Sequence, residues 1–72
     1  MVEVFKTNIT KKRIAQEIRS YLSDIFPAYD INFDLNDCDN ILRVEASLVD
    51  GKKVIESVKH YRSEIFISVL EE

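Results

Sequence analysis

Residues 2–25 read VEVFKTNITKKRIAQEIRSYLSDI, and this stretch decides the fold of the chain. Its first part, Val2–Lys6, is rich in β-branched and aromatic residues with alternating polarity, which predicts a strand. Successive side chains of a strand face opposite sides of its sheet, so Val2 and Val4 face away from Phe5.

A helix is predicted to follow this strand after a loop at residues 7–10. We expect it from about Lys11 to Phe26, with Thr10 as the N-cap. Pro27 ends it because a proline ring does not fit within a helix. The helix has one apolar face, which predicts burial against a sheet and consists of Ile14, Ile18, Tyr21, Leu22 and Ile25.

The remainder of the chain predicts three more strands and one more helix. Alternating polarity predicts strands over Tyr29–Leu35 and Ile41–Ser47, joined by an Asn- and Asp-rich turn at residues 36–40. An Asp-Gly pair then breaks the pattern, and Lys53–His60 predicts the second helix. The last strand, Glu64–Leu70, is apolar on both faces.

This order of elements predicts an α+β fold of the ferredoxin-like βαββαβ type. One four-stranded antiparallel sheet would carry both helices on one face, within a single domain spanning residues 1–72. Right-handed crossovers then give the strand order 4-1-3-2.

Length and composition limit the function classes. A chain of 72 residues forms one small domain with a thin core. The net charge of −3 argues against nucleic-acid binding, and no apolar run is long enough for a membrane span or a signal peptide. The single cysteine allows no internal disulfide, which favours a cytoplasmic location.

The chain resembles the heavy-metal-associated domain of copper chaperones and metal-transporting ATPases. The resemblance covers nearly the whole chain by element order and length, and it includes Val4–Asn8 followed by the amphipathic helix. His60 and Tyr61 fall where that family commonly has a glycine and an aromatic residue or lysine. The resemblance implies a small bacterial branch of that superfamily.

The metal motif of that family is missing from this chain. The family binds Cu(I) through a Cys-x-x-Cys on the first loop, since Cu(I) favours soft thiolate ligands. Residues 7–13 contain no cysteine, so no metal ligand carries over. We therefore expect a module that has lost metal ligation and holds no cofactor.

An alternative metal site would use Cys38 and His60. The topology puts both at one edge of the sheet, but on the order of 10 Å or more apart, which is too far for one ion and leaves only a site shared across a dimer. The alternative is a turn cysteine and a solvated histidine. One Cys and one His do not complete a tetrahedral zinc site. Asp34, Asp37 and Asp39 resemble a calcium loop only superficially, because the required glycine is missing and a cysteine takes a ligand position.

Four cations near the first loop are poorly explained by folding alone: Lys6, Lys11, Lys12 and Arg13. Helix N-termini prefer acidic residues, so cations there predict a site for an anion or an acidic partner surface. In copper chaperones this charged surface steers docking, and the resemblance implies the same role here. The alternative is a solvated first turn.

The sheet face opposite the helices is the second candidate surface. Neighbouring first and last strands would place Phe5, Phe66 and Leu70 together on this uncovered face. The alternative is that a chain terminus or a long side chain such as Arg43 covers them.

The leading hypothesis is a non-enzymatic interaction module that binds a protein partner or a second copy of itself. No nucleophile stands in a recognisable catalytic motif, so no enzyme activity is expected. Two alternatives remain open: metal binding through Cys38 and His60, and small-anion or metabolite sensing as in the ACT domain, which shares this topology. The first loop lacks the glycine that ACT domains usually have there.

Overall fold

Six elements follow one another in the computed structural model, which describes residues 1–35 and 40–70. They are β1 (Val2–Thr7), α1 (Lys12–Ile25), β2 (Asp30–Asp34), β3 (Ile41–Glu45), α2 (Gly51–Tyr61) and β4 (Ile67–Val69). The strands form one antiparallel sheet in the order β2-β3-β1-β4. This is the predicted order numbered from the other edge, and the α+β ferredoxin-like fold is confirmed.

The register of the sheet determines which side chains the helices cover. Phe5 of β1 lies opposite Leu42 of β3, and Leu42 lies opposite Phe33 of β2. Directly opposed residues of an antiparallel pair share a face, so these three side chains form one row. Phe5 and Leu42 are fully buried and Phe33 is partly buried against the core, so this row lies on the helix-covered face.

The helices contribute the other half of the core. The buried side chains of α1 are Ala15, Ile18 and Leu22, and those of α2 are Val54 and Val58. The predicted apolar face of α1 was too long, because Ile25 in its last turn is exposed. The period of the apolar spacing was correct, but the buried part of the face ends at Leu22.

Each helix begins differently. Asp50 caps α2, and its Oδ1 accepts a hydrogen bond from the Lys53 backbone N–H at 3.2 Å. The prediction that Thr10 caps α1 is wrong. Lys11 occupies the N-cap position, and no side chain of the described residues caps this helix.

The last strand is shorter than predicted because its first residues bond elsewhere. The Ile65 N–H donates to the Arg62 carbonyl in a turn, and the Phe66 N–H donates to the Asn8 side chain. Only Ile67–Val69 continues the regular ladder with β1.

No helix within residues 1–35 and 40–70 is long and apolar enough to cross a membrane.

Candidate functional site

The first correction concerns Phe5, which was predicted on the uncovered face. Its side chain is 0% exposed and belongs to the core. The first residue of α2 lies over it, since a Cβ atom built on Gly51 would lie 3.7 Å from Phe5 Cε2. The prediction correctly put Phe5 on the opposite side of β1 from Val2 and Val4, but it assigned the wrong side to the core. Phe5 lies opposite the fully buried Leu42, so the register of the sheet places its ring on the core face.

Phe66 and Leu70 do lie on the uncovered face, and they have different neighbours from those predicted. The Leu70 N–H donates to the Val4 carbonyl at 2.8 Å, which places Leu70 beside Val4. Phe66 is 53% exposed and Val2 is 49% exposed. These four residues, Val2, Val4, Phe66 and Leu70, form what we call the open-face patch.

The open-face patch occupies only the β1–β4 half of the uncovered face. The other half is polar and is made of the exposed side chains Asp30, Asn32, Asp34, Arg43 and Glu45. Ile41 also points to this side by the alternation of β3 and is buried without joining the core. The uncovered face is therefore divided into a largely apolar half, which also contains Lys6 and Ser68, and a charged half.

The predicted cationic cluster is split by the structure. Lys6 lies on the open face, opposite Ile41 and Ser68 in the ladder. Lys11, Lys12 and Arg13 are exposed at the start of α1, on the helix side of the sheet. Lys6 therefore does not belong to one site with the other three.

The three cations at the start of α1 border different grooves, because successive helical residues are about 100° apart around the axis. Lys11 borders a groove of about 180 Å³ together with Thr10, Arg62 and Glu64. Lys12 borders a second groove between α1 and β2. The three charges therefore raise the potential of this end of the domain without converging on one ligand.

This end of α1 remains electropositive. No acidic residue stands in the first turn, and α1 lacks a capping side chain within the described ranges. The unpaired N–H groups of a helix start carry a partial positive charge, which the lysines reinforce. Exposed anions or carboxylates are the groups that such an end attracts.

Asn8 connects this electropositive end to the open-face patch. Its side-chain Oδ1 accepts from the Phe66 N–H at 2.9 Å, and its own N–H donates to the Phe66 carbonyl at 3.2 Å. Lys11 follows three residues later, so its Cα lies within about 11 Å of the Asn8 Cα. Phe66 and the start of α1 therefore share one edge of the sheet.

Thr7 fixes the same loop from inside the fold. Its buried hydroxyl donates to the Asn40 carbonyl at 2.7 Å and accepts from the Ile9 N–H at 3.1 Å. Asn40 has a φ of 49°, which asparagine tolerates better than most residues. The β1–α1 loop is thereby tied to the end of the hairpin.

Sequence reasoning missed Val2, Val4 and Asn8. The sequence carried no local signal for the two valines, because alternation alone leaves open which side of a strand is buried. It carried none for Asn8 either, since its partner Phe66 is 58 residues away in the chain.

The alternative metal site lies partly outside the described residues. Cys38 lies outside the described residues, as do Asp37 and Asp39 of the calcium-like turn. His60 is exposed on α2 beside Lys59. Within residues 1–35 and 40–70, no three His, Cys, Asp or Glu side chains are placed to hold a metal ion. Metal binding through Cys38 and His60 stays a prediction, which Cu(I) and Zn(II) titration against a Cys38→Ser variant tests.

Comparison with known proteins finds no matching family model, no curated relative and no solved structure of significant similarity. The resemblance to the heavy-metal-associated domain therefore stays a prediction. A ferredoxin-like fold hosts many functions, so function has to be argued from the surfaces described above.

Proposed function

We propose that this chain is a non-enzymatic module of heavy-metal-associated-like fold that binds another protein through its open sheet face. The observation that carries the proposal is the open-face patch, where Phe66 and Val2 are each about half exposed on the same face as Val4 and Leu70. Lys6 and Ser68 separate Phe66 from Leu70 and Val4 on this face. Exposed apolar side chains grouped on one face mark surfaces that a partner covers.

The cations at the Phe66 end of the patch favour a partner that is acidic at that end, whereas the carboxylates Asp30, Asp34 and Glu45 lie on the other half of the face. Lys6 lies within the open face, and Lys11, Lys12 and Arg13 extend from the edge where Phe66 lies. Cations need not converge to act in this way, because their summed field steers an approaching partner over a distance of about 8–10 Å at physiological salt.

Site-specific photo-crosslinking tests this proposal. A photoreactive phenylalanine analogue replaces Phe66 in one variant and Leu48 in a matched control. Leu48 is 78% exposed but lies in the loop between β3 and α2. In cells that express the protein naturally, we expect one discrete adduct between position 66 and a protein other than this chain, and none from position 48. Equal adduct patterns from both positions would contradict docking through the open face.

Titration with the captured partner then measures the contribution of each surface. Replacing Phe66 by Ser should weaken binding about tenfold or more, because central aromatic residues contribute strongly to interfaces. Replacing Leu48 by Ser should leave the affinity unchanged. Neutralising Lys11, Lys12 and Arg13 together should slow association and reduce its salt dependence, with a smaller effect on dissociation.

A second candidate function is binding of a small anion at the start of α1, which its uncapped N–H groups and neighbouring lysines favour. A thermal-shift series with phosphate, nucleotides and amino acids tests it. Stabilisation by phosphate that is lost in a Lys11→Asp, Lys12→Ala variant would support this function. No shift with any of these compounds would remove this function.

A further inference from the structure

The two edges of the sheet differ in how they resist strand pairing. Among the described strands, β2 and β4 each have only one neighbour. Exposed Asp30 and Asp34 flank the β2 edge, and charged side chains discourage another strand from adding there. Residues 66–70 around β4 read FISVL and carry no charge at all.

The hydrogen bonds to β1 determine which backbone groups of β4 face outward. Phe66 accepts from Asn8, and Leu70 donates to Val4. In an antiparallel ladder the inward-directed groups alternate with outward-directed ones. The N–H and C=O groups of Ile67 and Val69 therefore point away from β1, as a template for one more strand.

We propose that a second copy of this chain pairs with this edge, β4 against β4 in antiparallel orientation, with the two-fold axis at Ser68. In this register Ile67 lies opposite Val69 of the second copy, and their outward backbone groups exchange four hydrogen bonds over the two symmetric pairs. Phe66 lies opposite Leu70 of the second copy on the open face. Within residues 66–70, every opposed pair except Ser68 with itself is apolar.

Neighbouring registers of the two β4 strands give fewer apolar cross-strand pairs. An axis at Ile67 would set Leu70 against Glu64, and an axis at Val69 would set Leu70 against Ser68. The apolar pairing of Phe66 with Leu70 exists only with the axis at Ser68. Cross-strand apolar pairs stabilise a sheet, so the pattern selects this register.

On the helix-covered side of β4, the groove along α2 is also complementary to the same groove of the second copy. Val69 is 37% exposed and borders an open groove along α2. The α2 side chains of this groove include Ile55 and, in alternating charge, Lys52, Glu56 and Lys59. The two-fold axis makes the two α2 helices antiparallel, so Glu56 of each can meet a lysine of the other while Ile55 is covered.

The proposed dimer is closed. Pairing β4 with β4 produces one eight-stranded sheet whose two ends are the charged β2 edges, so further strands do not add. The open-face patches of the two copies become neighbours across the axis. The dimer does not require docking of another protein on the open face, so either proposal can fail alone.

Disulfide trapping tests the register. Ser68 would occupy a non-hydrogen-bonded pair with its copy, where Cα atoms are about 4.5 Å apart, within the range that a disulfide spans. A Cys38→Ser, Ser68→Cys protein should form a linked dimer rapidly under mild oxidation. The matched control is Cys38→Ser, Asn32→Cys, which has its cysteine on the middle of the β2 edge and should crosslink only slowly. Equal rates for the two proteins would overturn the proposal.

Sedimentation equilibrium tests whether the backbone groups of the β4 edge hold the dimer together. Val69→Pro removes an outward N–H without removing a bond to β1, and proline is tolerated on sheet edges. Two of the four inter-chain bonds are lost, so we expect a dimer dissociation constant raised about 100-fold. Val69→Thr keeps the N–H and should remain dimeric. A wild-type protein that stays monomeric at its highest soluble concentration would overturn the proposal, as would a dimer that survives Val69→Pro.

Discussion

Truncating Phe5 is the most direct test of which side of β1 faces the core. Phe5 has no exposed surface, lies opposite Leu42 and Val69 in the sheet, and is covered by the start of α2. Removing a buried phenylalanine ring costs about 3–5 kcal/mol, from lost transfer free energy and the cavity left behind. A domain of 72 residues has a free energy of unfolding of about 4–11 kcal/mol. Phe5→Ala should therefore remove a large share of the stability and lower Tm by about 15–30 °C.

Phe66→Ala is the matched comparison, because it makes the same chemical change on the same sheet. Phe66 is 53% exposed, so its truncation should cost only about 1 kcal/mol. Urea denaturation followed by far-UV circular dichroism measures both variants, and Phe5→Leu should recover most of the lost stability because it retains most of the volume. If Phe5→Ala and Phe66→Ala differ by less than about 1 kcal/mol, the assignment of Phe5 to the core is refuted.

Two further predictions concern the helix starts and the first loop. Lys11→Asp should stabilise the protein by about 1 kcal/mol, because it supplies the missing cap of α1 and an acidic group at its positive end. Asp50→Ala should destabilise the protein by a similar amount, because the bond to the Lys53 N–H is lost. Urea denaturation measures both, and a Lys11→Asp protein less stable than wild type would contradict the account of α1. Thr7→Val should cost about 1–3 kcal/mol, since it leaves the Asn40 carbonyl and the Ile9 N–H without their buried partner, while Thr7→Ser keeps the hydroxyl and should cost less. Equal losses in the two Thr7 variants would show that the methyl group, and not the hydroxyl, matters.

The candidate surfaces were only partly predictable. Phe66 and Leu70 were placed on the uncovered face correctly because Ile65 and Ile67 alternate with them and are buried. Phe5 was misplaced because alternation alone leaves the buried side of a strand open. The cationic cluster was predicted from adjacency in sequence, whereas the structure separates Lys6 from the start of α1 by the turn between strand and helix.

The edge of β4 could not be predicted from its own residues. The sequence FISVL is compatible with a central strand and with an edge strand, since its apolar composition indicates burial of side chains and not the number of neighbouring strands. The outward direction of the Ile67 and Val69 backbone groups depends on the bonds from Asn8 to Phe66 and from Leu70 to Val4. The partners in these bonds are 58 and 66 positions apart in the chain, so only the register of the folded sheet determines this direction.

The sequence by itself determined the order of the six elements, the fold class and the spacing of the apolar faces. These are local properties, because hydrophobic periodicity, turn residues and Pro27 act over a few neighbouring residues. The tertiary structure alone decided that Phe5 is in the core, that α1 begins without a cap and which backbone groups of β4 point away from β1. Each of these depends on competition between distant groups for one interior, and that competition is resolved only when the sheet and helices pack together.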